Sequence, residues 1–138
     1  MSSAAPPARV ILVVDDEPGV RRLACQLLER DGYGTLEAED GREALALLSV
    51  DASRIALVLT DVRMPHLNGM QLEQAIRDEW PLLPVILMSG EVTREWIARL
   101  VRERPLRMLR KPFDAGDLLE TVRELLMERE GGEPQVGK

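Results

Sequence analysis

The chain has few of the residues that staple or stiffen a small protein. It carries one cysteine, Cys25, in 138 residues, so no disulfide can close within it. Such cysteine usage fits a reducing compartment, and the chain is read as cytoplasmic. His66 is the single histidine, so no zinc-like ligand spacing exists. Aromatic residues make up 3% of the chain, namely Tyr33, Trp80, Trp96 and Phe113, so the core must be aliphatic. No apolar run reaches the roughly 18 residues of a membrane span. The opening MSSAAPPAR has no apolar stretch of the secretory-signal kind. Neither GxxxxGKS/T nor GxGxxG occurs, so no P-loop or dinucleotide fingerprint is present and no nucleotide cofactor is expected. Positive charge is also short. The formal net charge is -6, and a field of that sign repels nucleic acid and anionic membrane.

What is present is an ordinary soluble mixture, 45% hydrophobic and 30% charged, in a length that suits one domain. Residues 1–8 and 131–138 are rich in small residues, proline and glycine, and read as mobile ends around a domain at 9–130. Within it, apolar runs at 10–14, 33–38, 55–60, 84–88 and 106–109 alternate with helical patterns. The runs VILVV and IALVLT are continuous rather than alternating. That pattern belongs to parallel strands covered on both faces.

Helical spacing places Val20, Leu23, Ala24, Leu27 and Leu28 on one stripe, with Pro18 in a first turn and Gly32 as the stop. A second helix opens at Asp40, with Glu43 three residues on, and turns Ala44, Leu45 and Leu48 inward. A third follows Asn68 and buries Leu72, Ala75, Ile76 and Trp80. A fourth carries Ile97, Leu100 and Val101. The last opens at Asp114 with Asp117 at its third position, and buries Leu118, Leu119, Val122, Leu125 and Leu126. The fold expected is α/β, a doubly wound (βα)5 three-layer sandwich on a parallel five-stranded sheet. The run 33–38 carries Thr35 and Glu37 and is expected at an edge.

In such a sheet the crevice beyond the carboxyl ends of the strands is the default site. Asp15 and Asp16 follow the first strand, Asp61 the third, Ser89 the fourth and Lys111 the fifth. Close carboxylates repel unless a cation compensates them. An all-oxygen donor set suits Mg²⁺, which keeps several waters. A hydrated Mg²⁺ beside a lysine and a hydroxyl is a phosphoryl-binding arrangement. No Ser or Cys sits beside a base, so the nucleophile would be a carboxylate, and Asp61 lies centrally.

The motifs VDDEP at 14–18, LTDVRMPHLNG at 59–69, LMSG at 87–90 and RKPFD at 110–114 are highly specific in this order and spacing. With them the chain resembles a receiver domain of the two-component response-regulator family, over roughly residues 9–128. The resemblance implies a flavodoxin-like sheet in the order 2-1-3-4-5. It implies that Asp61 accepts a phosphoryl group from a histidine kinase or a histidine phosphotransfer protein. It implies that Asp16 coordinates Mg²⁺ (with Mn²⁺ as substitute) directly, that Asp15 acts through a metal-bound water, and that the backbone carbonyl of Arg63 is a further ligand. Ser89 then moves toward the phosphoryl group and Lys111 pairs with it. The Lys111–Pro112 bond is often cis in the family.

One position departs from the family pattern. Three residues before the lysine, where Tyr or Phe is usual, stands Met108. A thioether fills a pocket flexibly but has no ring to swing. Arg63 and Glu91, two residues after Asp61 and Ser89, match positions that tune hydrolysis in the family. The two either pair and screen the site or remain separate solvated charges. The family's partner surface lies on the fourth helix, fifth strand and fifth helix. There Trp96, Arg99 and Arg102 would form an anchor patch. The leading function is a phosphorylation-dependent signalling switch, monomeric or weakly dimeric. It assists its own phosphorylation and slowly hydrolyses the product, without being a conventional enzyme. The alternatives are a receiver-like binding module that signals without phosphorylation, and a receiver cut from a hybrid histidine kinase. An aspartyl phosphatase would need a general acid at position 63, and arginine cannot serve there. Cys25 reads as a small core residue, His66 as a surface residue, and Gly69 as a close-packing position.

Overall fold

A computed structural model describes residues 9–90 and 106–131. The elements run β1 (Val10–Val14), α1 (Pro18–Arg30), β2 (Gly34–Ala38), α2 (Gly41–Asp51), a 3-10 turn (Ala52–Arg54), β3 (Ile55–Asp61), α3 (Gly69–Glu79), β4 (Val85–Ser89), β5 (Leu106–Arg110) and α4 (Ala115–Gly131). Of the expected ends at 1–8 and 131–138, all but Gly131, the last residue of α4, lie outside the described residues. So do the expected helix around Ile97, Leu100 and Val101, and with it Glu91, Trp96, Arg99 and Arg102.

All strands are parallel, in the order β2-β1-β3-β4-β5. The polar run at 34–38 is at an edge, as its Thr35 and Glu37 implied. Two aliphatic cores flank the sheet. Ile11, Val13, Leu57, Leu59, Ile86 and Met88 pack against α1 and α4. Leu12, Val14, Val58, Val85 and Leu87 pack against α2 and α3. Strand side chains alternate between faces, yet Ile55 lies in the second core and Leu57 in the first. The reason is a register shift: Val10 faces Ile55 while Ile11 faces Leu57, and Ala56 is the extra residue.

Helix ends follow their local chemistry. Gly32 ends α1 at φ 98°. Its N–H donates to Glu29 O at 3.0 Å, and the Tyr33 N–H to Leu28 O at 3.1 Å, the paired bonds of a Schellman cap. The Asp40 carboxylate accepts from Glu43 N–H at 2.9 Å, while Glu43 reaches back to the Glu39 N–H at 2.7 Å rather than to residue 40. Asn68 and Gln71 form a complete capping box, each side chain accepting from the other's N–H at 2.9 Å. Asp114 accepts from Asp117 N–H at 2.8 Å.

Two helix faces differ from the expected stripes. Leu23 is 54% exposed, and α1 instead buries Ala24, Cys25 and Leu28. The helix is rotated so that Arg21 lies on the inner flank, where its guanidinium bonds to β2 and to the chain beyond β1. In α3, Glu73 is 2% exposed and Ala75 only half-buried. The Glu73 charge is met by Arg77 at 3.3 Å, one turn on. Cys25 is a core residue whose burial pushes the thiol up, the opposite of a reactive cysteine.

Candidate functional site at the carboxyl rim of the sheet

The topology brings the ends of β1, β3, β4 and β5 to one rim. The chain leaving each strand stays tied to its neighbour. Asp15 N–H donates to Ala38 O at 3.1 Å, Val62 N–H to Met88 O at 3.1 Å, and Lys111 N–H to Ser89 O at 2.8 Å. The acids and the lysine are therefore carried on continuations of the sheet rather than on free loops.

A cleft of about 430 Å³ opens there, lined by Asp16, Glu17, Asp61, Arg63, Ser89, Gly90 and Lys111. Asp15 is 0% exposed, and Asp61 and Ser89 are each 8% exposed. Asp16 is exposed. Lys111 Nζ is 3.0 Å from Asp61 Oδ1 and 3.3 Å from Asp15 Oδ2. The other Asp15 oxygen accepts from the Glu17 N–H at 2.9 Å. The Lys111–Pro112 peptide is cis, as the resemblance implied.

Asp15, Asp16 and Asp61 each offer a carboxylate oxygen, and these atoms lie within 4.8 Å of one another. The electrostatics match that crowding. Burial, with the negative charge of Asp15, holds the Asp61 carboxyl above its ordinary range, against the opposing pull of the Lys111 bond. Burial pushes the Lys111 ammonium down, but its contacts with Asp61 and Asp15 outweigh this and raise it. One ammonium thus leaves the acids under-compensated. A group of clustered oxygen donors with excess negative charge fits a divalent cation.

The loop after Asp61 is fixed by glycines. A Cβ on Gly69 would lie 2.3 Å from Asp61 O and 2.8 Å from Val62 Cα. The start of α3 therefore sits directly on the backbone of the central acid, tied by Gly69 N–H to Val62 O at 2.9 Å. A Cβ on Gly41 would lie 2.7 Å from Leu67 O, so α2 presses on the same loop. His66 is exposed there, with φ 67°.

Five of the expected residues, Asp15, Asp16, Asp61, Ser89 and Lys111, are brought together, with Arg63 at the cleft wall. Arg63 also lines an adjoining cleft of about 420 Å³ with Asp16 and Asn68. Met108 is half-buried in β5 beside Leu87. Sequence reasoning missed Arg21. Its Nη1 donates to Asp15 O at 2.7 Å and its Nε to Glu37 Oε1 at 2.8 Å. A basic residue one turn after the acid pair, with an acid on the edge strand, was the available signal.

Among the described residues, no helix is long and apolar enough to cross a membrane. The chain matches the response regulator receiver domain family over residues 11–123. It is 38% identical to the sensor histidine kinase RcsC of Salmonella typhi over 113 residues, which cover 82% of this chain and 12% of that protein. It is 31% identical to the transcriptional regulatory protein GlrR of Escherichia coli over 116 residues, 84% of this chain and 26% of that protein. The chain thus spans about a quarter or less of the curated relatives it matches. Among solved structures, it resembles a response regulator receiver domain protein from Clostridium thermocellum with a TM-score of 0.81 and 30% identity, covering 88% of this chain and 96% of that one. The Vibrio cholerae chemotaxis protein CheY4 has a TM-score of 0.77 and 29% identity, with 86% and 98% covered. With its 2-1-3-4-5 parallel sheet and its acid-lined rim, the chain belongs to the response regulator receiver domain family.

Proposed function

We propose that this receiver is a phosphorylation-dependent signalling switch that accepts a phosphoryl group on Asp61 from a phosphohistidine of a kinase or phosphotransfer protein. The observation that carries the reading is the Lys111 contact with both Asp61 and Asp15 in a cleft whose walls include Asp16 and Ser89. An Asp61 oxygen attacks phosphorus, the phosphorus–nitrogen bond to the donor breaks, and the imidazole leaves. Lys111 is placed to meet the negative charge on the transferred oxygens. Ser89, at the end of β4, offers a hydroxyl to the same group. Asp15, Asp16 and Asp61, with the Arg63 carbonyl, would hold Mg²⁺ or Mn²⁺, which when bound neutralises the phosphoryl oxygens.

The transferred group adds charge to a buried rim and biases a two-state surface. The output surface of this reading includes β5 and α4, where Arg107 pairs with Glu128. Trp96, Arg99 and Arg102 belong to the part of that surface outside the described residues. In this reading the protein works in the cytoplasm, as a monomer or weak homodimer, either alone or as the receiver of a larger regulator or hybrid kinase. Similarity to both a transcriptional regulator and sensor kinases supports that range. Met108 replaces the usual aromatic, so the outward signal would use a route other than ring rotation.

Incubation with a small-molecule phosphodonor and Mg²⁺, followed by intact-mass measurement, tests the reading. A phosphoryl adduct that disappears in Asp61→Ala and on removal of Mg²⁺ is expected. A fully folded protein that gains no adduct overturns it in favour of a binding module that works without phosphorylation.

A further inference from the structure

Arg21 is the one basic side chain on α1 drawn onto the core side of the helix. Its side chain is 14% exposed, whereas that of its neighbour Arg22 is 68% exposed and reaches Glu37 only at 3.6 Å. It joins two acceptors from different elements: Asp15 O at 2.7 Å beyond β1, and Glu37 Oε1 at 2.8 Å on β2. We propose that Arg21 is a positioning residue for the acid pair, setting the Asp15–Asp16 peptide for divalent-cation binding through a guanidinium bridge to Glu37. The inference rests on the metal-dependent reading above and adds to it a residue outside the cleft.

The argument is one of peptide geometry. Asp15 C=O and Asp16 N–H share one planar unit, so fixing the carbonyl fixes the plane from which Asp16 departs. The preceding unit is already pinned, because Asp15 N–H donates to Ala38 O at 3.1 Å. Both peptide planes around Asp15 are therefore held by β2, one directly and one through Arg21. Asp15 itself has little freedom, with one carboxylate oxygen on Glu17 N–H and the other on Lys111. Asp16 differs. It is exposed, and among the described residues no side chain hydrogen-bonds to its carboxylate. Its aim into the cleft depends on the backbone that Arg21 holds. A planar guanidinium suits this task, because its fork reaches two acceptors at fixed angles. Partners that orient a metal ligand typically change affinity by about 10–100-fold when removed.

Titration calorimetry of the full chain with MgCl₂ tests the proposal. Arg21→Ala is expected to weaken Mg²⁺ binding about tenfold, the low end for such partners, while Arg22→Ala leaves it unchanged. Glu37→Ala should also weaken binding. The double variant should bind as Arg21→Ala does, since both changes remove one bridge. Without metal, the Asp16 and Glu17 amides should exchange hydrogen faster in Arg21→Ala. With a small phosphodonor, the half-saturating Mg²⁺ concentration should rise while the rate at saturation returns to that of the parent. An unchanged Mg²⁺ affinity in folded Arg21→Ala, an equal loss in Arg22→Ala, or a parent that binds no Mg²⁺ overturns the inference. Should Arg21→Ala not fold, Arg21→Lys carries the same test, because lysine lacks the planar fork that holds two acceptors at fixed angles. An Arg21-dependent Mg²⁺ affinity without any adduct on Asp61 would leave the inference standing and remove the phosphoryl-transfer reading.

Discussion

Substituting Gly69 by alanine should damage the site through the backbone alone. The new Cβ would lie 2.3 Å from Asp61 O and 2.8 Å from Val62 Cα, whereas ordinary contact begins at 3.4 Å. Neither atom belongs to a side chain that can swing aside. The start of α3 and the end of β3 must separate by about 1 Å, an estimate that follows from close packing. This strains the Gly69 N–H to Val62 O bond of 2.9 Å, a bond worth about 1 kcal/mol net. Overpacking adds roughly 1–3 kcal/mol. The better helix propensity of alanine returns at most about 1 kcal/mol. The net loss is then about 1–4 kcal/mol, or a melting-temperature drop of roughly 3–13 °C for a domain of this size. Gly19, also in the first turn of its helix, has nothing within 4 Å of its virtual Cβ. There alanine should be neutral or stabilise by up to about 1 kcal/mol. Urea and thermal denaturation of the two variants measure the contrast. Phosphorylation of Gly69→Ala should also slow at temperatures where it is fully folded, because the Asp61 carbonyl has moved. If Gly69→Ala loses less than about 0.5 kcal/mol, or loses no more than Gly19→Ala, the steric reasoning is wrong.

Asp61→Asn should be more stable than the parent at neutral pH. The folded carboxyl titrates above its ordinary 3.8 because of burial and Asp15. The native state therefore holds that proton more tightly, and ionisation removes stability as pH rises from 3.8 through the raised value. The advantage of Asp61→Asn should shrink as pH falls below that window; equal melting temperatures at pH 7 would count against it. Asn68→Ala removes the side-chain acceptor of the Gln71 N–H in the capping box on α3, leaving the backbone N–H of residue 68 bonded to Gln71, and should cost about 1 kcal/mol in denaturant titration; no measurable loss would show the cap to be redundant. Arg63→Ala should shorten the half-life of the phosphorylated protein by opening the cleft to water. An unchanged half-life would assign Arg63 no screening role.

The sequence was most legible where each residue type had one job. VILVV and IALVL are apolar at every position, and both proved to be doubly covered strands. The acids, serine and lysine stood out because each ended such a run. The same uniformity hid the Ala56 irregularity: with every position apolar, nothing in the pattern marks which residue is the extra one. Arg21 and Glu73 were hidden for the opposite reason. Helical periodicity ranks positions by apolarity, so it chose Leu23 and Ala75 as inward. On these flanks the buried charges have partners, Glu37 for Arg21 and Arg77 for Glu73, which a periodic pattern does not record.

The parity of the strands has a consequence for how such a domain can diverge. Asp15, Asp61 and Lys111 extend the rows of Ile11 and Val13, Leu57 and Leu59, and Leu109, which face α1 and α4. Ser89 extends the row of Val85 and Leu87, which faces α2 and α3. The Asp61 carboxylate and the Ser89 hydroxyl are thus anchored in separate packing compartments, divided by the sheet. Substitutions that remodel one compartment leave the other's side chains in place. The α2–α3 side can then be repacked while the rows that end in Asp15, Asp61 and Lys111 keep their packing against α1 and α4.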